Sequence, residues 1–252
     1  MPGFDRPIRV LTWNIHKGIG PNGRYNLDRT VRLISRHAPD IVALQEVDAR
    51  RAAGGASPFE ALRQTLGEHS VEARTITAPD GDYGHVIISR WPLAGPTLHD
   101  ISVRRREPRQ AIEATVETDR GPLHVMAAHL GLAFGERRRQ VRILADAVRR
   151  APAPVVLLGD FNDWIWRGHV NRALVAELPA RTWHRTFPAL CPLIRLDRIY
   201  CRPATALIRS WTDADACWAS DHLPVIAEIS LQPPDQGRPR RATPEGRRRS
   251  LE

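Results

Sequence analysis

Apolar positions fall into two rhythms along this chain. Short continuous or alternating runs predict strands, and longer stretches repeating every ~3.6 residues predict helices. Residues 8–13 read as a strand, and Asn26 is a candidate N-cap for a helix through about residue 37, with Leu27, Val31 and Ile34 on one face. Pro39-Asp40 ends that helix. Ile41-Val42-Ala43-Leu44 is a continuous apolar run between breakers, as expected of a strand covered on both faces. Ser57 and Pro58 supply a cap and a first-turn proline for a second helix through about residue 66.

Residues 85–89 predict a further strand, and 110–117 with 123–129 predict a hairpin around Asp119-Arg120-Gly121. The clearest helix spans 136–150, with Val141, Leu144, Ala145 and Val148 at helical spacing and arginines filling the exposed face. Val155-Val156-Leu157-Leu158 is a strand that stops at Gly159-Asp160, and residues 196–201 and 223–231 complete the set. Hairpins and crossover helices both occur, so mixed sheets are expected, two of them stacked and flanked by helices, with no internal repeat.

Polar residues cluster where these apolar runs stop. Glu46 follows the strand of 41–44 directly, so its carboxylate is expected to emerge at the strand's end. Asp160 and Asn162 are two apart, and in an extended geometry they point the same way. Asn14, His129 and the pair Asp221-His222 stand at or near comparable ends. Each cluster taken singly also fits a structural role, as turn former, solvated strand end or rim histidine. Hard oxygen donors of this kind favour Mg²⁺ or Mn²⁺ over zinc. The sequence has no Gly-rich phosphate loop and no Gly-x-Ser-x-Gly elbow, which argues against nucleotide triphosphatases and serine hydrolases.

Thr12-Trp13-Asn14, Leu44-Gln45-Glu46, Ala128-His129, Gly159-Asp160-Phe161-Asn162, Leu196-Asp197-Arg198-Ile199 and Ser220-Asp221-His222, in that order, resemble the endonuclease/exonuclease/phosphatase superfamily, the group with a DNase I-like fold. The chain is similar to its small bacterial-type members, over roughly residues 8–231. The resemblance implies a four-layer α/β sandwich of two mixed β-sheets flanked by helices, with the site at one edge. It also implies a metal-dependent phosphoesterase that uses Mg²⁺ (or Mn²⁺) and in-line attack by water. On matching positions, Glu46 is the main metal ligand with Asn14 and Asp221 beside the metal, and Asp160 orients or deprotonates the water. Asn162 and His129 hold phosphoryl oxygens. Asp197 orients His222, which acts as general base or as a donor to the phosphate. Which of Asp160 and His222 takes the proton stays open. Arg109 resembles a phosphate-contacting arginine of nuclease-like members, and a solvated rim position fits it equally. His16 stands where the abasic-site endonuclease branch has an acidic residue, which argues against abasic-site repair.

Composition narrows the rest. A chain of 252 residues, 42% of them hydrophobic, suffices for one large core, expected over 1–232. Residues 233–252 carry Pro, Gly and arginine clusters without an apolar period and are expected to be a disordered basic tail. The formal charge of +9 comes almost wholly from arginine, with Lys17 the sole lysine, and guanidinium groups suit phosphate. That charge fits a polyanionic substrate and fits genome composition equally; nucleic acid is the favoured partner and a nuclease-type phosphodiesterase the first reading. The alternative is a lipid or inositol phosphate esterase, favoured if Trp164 and Trp166 are exposed beside the metal. A binding module without activity is a third reading, weakened by the suitable residue at every mapped position. No apolar run reaches the ~18 residues of a membrane span, and residues 1–9 lack the apolar core of a secretory signal, so a cytoplasmic location is expected; a monomer is expected separately. Cys191, Cys201 and Cys217 lack Cys-x-x-Cys spacing and read as reduced, structural thiols.

Overall fold

A strand turns successive side chains to opposite faces, and this chain uses that alternation to build four layers. The computed structural model describes residues 6–50, 57–164 and 168–231. In chain order the elements are β1 (Ile8–Asn14), α1 (Leu27–Ser35), β2 (Ile41–Asp48), α2 (Pro58–Leu66), β3 (His69–Ala78), β4 (Gly81–Ser89), β5 (Leu93–Asp100), β6 (Gln110–Thr118) and β7 (Gly121–His129). They continue with α3 (Phe134–Arg150), β8 (Val155–Asp160), α4 (His169–Glu177), β9 (Ala180–Arg181), β10 (Asp197–Arg202), β11 (Leu207–Thr212) and β12 (Val225–Ile229). One six-stranded sheet has the order β11-β12-β1-β2-β4-β3 and the other β5-β6-β7-β8-β10-β9. Each has one parallel pair, β1 with β2 and β7 with β8, joined by the crossover helices α1 and α3. The remaining pairings are antiparallel, so both sheets are mixed, as expected.

On β8, Val156 and Leu158 join Val10, Ile87, Val125 and Ile199 between the sheets. Their neighbours Val155 and Leu157 pack with Val141, Leu144 and Val148 of α3 and Leu174 of α4. On the other sheet, Leu11, Trp13, Val42 and Leu44 pack with Ile34 of α1 and with Phe59 and Leu62 of α2. Burying each such side chain contributes about 1.5–3 kcal/mol, so a continuous apolar run is held from both sides at once.

Local signals mostly act where they were expected. Asn26 caps α1, its side chain accepting from the Arg29 amide at 2.8 Å. Ser57 occupies the cap position of α2 but its hydroxyl makes no capping bond, and Pro58 opens the helix. Arg137 departs from the expectation of an exposed arginine face on α3. It is buried because its guanidinium donates to the carbonyls of Gly131 and Leu132. All three cysteines are free, but only Cys201 is buried in the core, and Cys191 is exposed.

Helix α4 and the strands β3, β5, β9 and β11 lie outside the sequence expectations, and those four strands are the four sheet edges. An edge strand buries little, so its apolar alternation is weak: β5 is exposed over most of its length and carries a proline. The predicted basic tail and Trp166 fall outside the described residues. Among the described residues no helix is long and apolar enough to cross a membrane.

Candidate active site

The two parallel pairs bring the ends of β1, β7 and β8 beside Glu46 of β2, so that Asn14, Glu46, His129 and Asp160 line one cleft of about 430 Å³. Arg109, Asn162, Asp221 and His222 line it too. Asp197 lies beneath, fully buried, opposite Asp160 in the β10–β8 ladder.

Asp160 Oδ2 is the point of convergence. It accepts from Asn14 Nδ2 at 3.0 Å and lies 3.5 Å from His129 Nε2 and 3.9 Å from His222 Nε2. Burial lifts the Asp160 carboxyl to about 6, above the usual carboxylate range. His222 Nδ1 meets Asp197 Oδ2 at 2.8 Å. Burial works to lower the His222 pKa, but the Asp197 and Asp160 carboxylates outweigh it and hold it up, to about 10. His129 goes the other way: burial, then the nearby Arg109, His85 and His222 charges, push its pKa well below the ordinary value.

Glu46 does not stand at a strand end as expected. β2 continues to Asp48, and Glu46 sits inside it at a register shift between Leu44 and Val47, with φ of 58°. The bulge turns the carboxylate out of the ladder and into the cleft, where Glu46 Oε1 accepts from Asn14 Nδ2 at 3.0 Å. Asn162 corrects a second expectation, because the chain after Asp160 is not extended. With φ of 48°, Asn162 folds back so that its amide donates to Asp160 Oδ1 at 2.9 Å and its side chain donates to the Leu130 carbonyl at 2.9 Å. Arg109 is buried on the cleft wall, not on a solvated rim, with Nη1 3.4 Å from the His129 carbonyl.

Residues 11–222 match the Endonuclease/Exonuclease/phosphatase family. The chain belongs to that family. It is 34% identical over 251 residues to the uncharacterized protein YbhP of Escherichia coli strain K12, covering 89% of this chain and 96% of that one. Among solved structures it is similar to an endonuclease/exonuclease/phosphatase from Beutenbergia cavernae, with a TM-score of 0.71, 24% identity and coverage of 89% and 72%. The 3′ phosphatase NExo from Neisseria, bound to a product DNA hairpin, gives a TM-score of 0.65 at 21% identity and coverage of 88% and 99%. The family is one of hydrolytic phosphoesterases, and this chain is an enzyme of that class.

The donor chemistry fits a hard divalent cation. Glu46 and Asp221 present partly exposed carboxylates to the cleft, Asn14 adds an amide, and no cysteine lines it. The carboxylates of Asp160 and Asp197 and the His222 ring form a second, buried cluster whose ligand atoms lie within 4.8 Å of one another. Two of those groups already bond each other through Nδ1 and Oδ2.

Three supporting residues escaped the sequence reading. Ser220 bonds the Asn14 carbonyl at 2.7 Å and accepts from the His222 amide at 3.1 Å, joining two site segments. Trp13 Nε1 donates to the His222 carbonyl at 2.8 Å from within the core. Their presence beside Asn14 and Asp221 in the motifs was the available signal. His85, buried behind His129 and Arg109, had none.

Proposed function

We propose that this chain is a Mg²⁺-dependent phosphodiesterase, with Mn²⁺ an acceptable substitute, in which water attacks phosphorus in line. The observation that carries the reading is the convergence of Asn14, His129 and His222 on Asp160 Oδ2 at the cleft floor. Asp160 orients the water and takes its proton, since a base titrating near neutrality is both ionised and basic enough to act. His222, held by Asp197 on its Nδ1 side, keeps an N–H on Nε2 for a phosphoryl or leaving oxygen. Asn162, His129 and Arg109 supply further donors on the same wall. As the new P–O bond forms the ester P–O bond breaks, and the leaving oxygen takes a proton from His222 or from solvent. Glu46, Asn14 and Asp221 are the residues that would hold the cation, which when bound supplies Lewis-acid stabilisation of the developing charge.

Two substrate classes share this chemistry. The arginine-rich charge supports nucleic acid and a nuclease-type activity. Trp164, exposed on the cleft wall, supports the alternative of a lipid or inositol phosphate substrate. The test is hydrolysis, with and without Mg²⁺, of bis(p-nitrophenyl) phosphate, p-nitrophenyl phosphate, plasmid DNA, RNA and phospholipids. Diester turnover should stop with a chelator and return with Mg²⁺ or Mn²⁺. Glu46→Gln should lose more than the roughly tenfold to hundredfold that removal of an outer-shell partner costs. Turnover that survives thorough chelation rules out the metal role, and undiminished turnover in Glu46→Gln rules out the site. Cleavage of phospholipid without nucleic acid selects the second class.

A further inference from the structure

We propose that the mouth of the cleft is a docking face that seats the enzyme on an anionic phospholipid bilayer. The proposal rests on the lipid alternative above and says how that substrate would reach the site. Large apolar side chains are exposed on several segments that build the cleft. Leu132 (65% exposed) and Trp164 (58%) line it directly. Phe134, two residues on from Leu132, is exposed with its ring centroid 4.4 Å from that of His169. Exposed Leu193 adjoins Ile194, a cleft residue, and exposed Leu190 lines an apolar groove of about 330 Å³ that shares Asp221 with the cleft.

Two of the exposed positions, Leu132 and Trp164, share a neighbour. The buried Arg137 guanidinium donates to the Leu132 backbone carbonyl and lies 5.9 Å from the Trp164 ring centroid, so one buried group touches both segments at the mouth. Arginines accompany them. Arg104, Arg105 and Arg106 are exposed on the loop leading to the cleft residues Glu107 and Arg109, and Arg138 is exposed on the first turns of α3. Among the described residues none of these four guanidinium groups has an ion-pair partner.

This combination selects the occupant. A single strand of nucleic acid would use the arginines and stack on Trp164, but leucines offer no ring for a base. A second copy of the chain would bring the same unpaired arginines against one another. A bilayer accepts both sets, with leucine, phenylalanine and tryptophan at the acyl boundary and guanidinium groups among anionic headgroups. A phosphodiester at headgroup depth then faces the cleft without leaving the membrane.

The experiment is co-sedimentation of the full chain with vesicles of phosphatidylcholine alone and of phosphatidylcholine mixed with phosphatidylglycerol, alongside turnover of soluble bis(p-nitrophenyl) phosphate. Binding should require the anionic lipid and weaken with salt. A Phe134→Ser/Leu193→Ser double variant, altered outside the cleft lining, should partition at least about tenfold less while turning over the soluble diester at the wild-type rate. Absence of wild-type binding to anionic vesicles, or equal binding by the double variant, overturns the docking face. So does single-stranded DNA binding that the double variant loses, which assigns the face to nucleic acid. Vesicle binding without phospholipid cleavage keeps the docking face and removes the lipid substrate. Cleavage of detergent-dispersed phospholipid without vesicle binding does the reverse.

Discussion

Asp197 Oδ2 lies 2.8 Å from His222 Nδ1, both side chains being buried, Asp197 beneath the cleft and His222 in its wall. Asp197 begins β10 directly opposite Asp160 of β8, so the ladder sets two carboxylates on one face with the His222 ring between them. The bond on Nδ1 fixes the ring's orientation and turns Nε2 toward Asp160 and the cleft.

That relationship makes Asp197→Asn a direct test. The amide preserves size but can offer its N–H to Nδ1, which selects the wrong tautomer. The expected fall in kcat is about a hundredfold to ten-thousandfold, read by steady-state turnover of a soluble diester. An unchanged kcat would mean that other contacts orient His222.

Asn14 donates from one nitrogen to both Glu46 and Asp160, at 3.0 Å each. In Asn14→Asp the donor becomes a third carboxylate between two others. Turnover should drop on the order of a hundredfold or more. Stability measured by urea unfolding in chelator should fall by about 1–3 kcal/mol, because buried acceptors lose their N–H and gain a like charge.

Gly159 precedes Asp160 with φ of 150°, and a Cβ there would meet the Ala128 carbonyl oxygen at 1.9 Å. The parallel register pairs Ala128 with Gly159 and His129 with Asp160, so relief of that clash must displace the site. Gly159→Ala should therefore lose both stability and turnover, by about 2 kcal/mol or more in unfolding. A variant with wild-type melting temperature and kcat would contradict the packing argument.

His85 is buried, and desolvation first, then the Arg109 charge, push its pKa down to about 3. The unfolded chain binds this proton near pH 6.5, before the folded chain does, so stability is full above that pH and falls as pH drops from about 6.5 toward 3. The loss attributable to this residue is on the order of a few kcal/mol. Melting temperatures across that window should fall less steeply in His85→Gln than in the wild type.

The strands that could be read from the sequence are the interior ones. β1, β2, β7 and β8 are buried on both faces, and their near-continuous Val, Ile, Leu and Ala runs carry that burial in the sequence. The four edge strands were invisible for the opposite reason, since pairing on one side leaves little apolar demand. The motif residues Asn14, Glu46, His129, Asp160, Asn162, Asp221 and His222 were recognisable by type and order, and Asp197 by its motif. Their geometry was not: the bulge at Glu46 and the left-handed turn at Asn162 appear in no periodicity.

Sequence alone was enough to specify the layer-building alternation, the helix cap at Asn26 and, through the resemblance its motifs carry, the class of bond the enzyme breaks. Tertiary structure decided which sheet each strand joins, that Asp197 rather than solvent meets His222, and that Arg109 and Arg137 are buried. It also decided that Trp164 and Leu132 stand exposed at the cleft mouth. The division is physical. Alternation, capping and residue chemistry are local properties of a few neighbours, whereas ladder register, burial of a charge and the shape of a cleft depend on hydrogen bonds and packing between residues far apart in the chain.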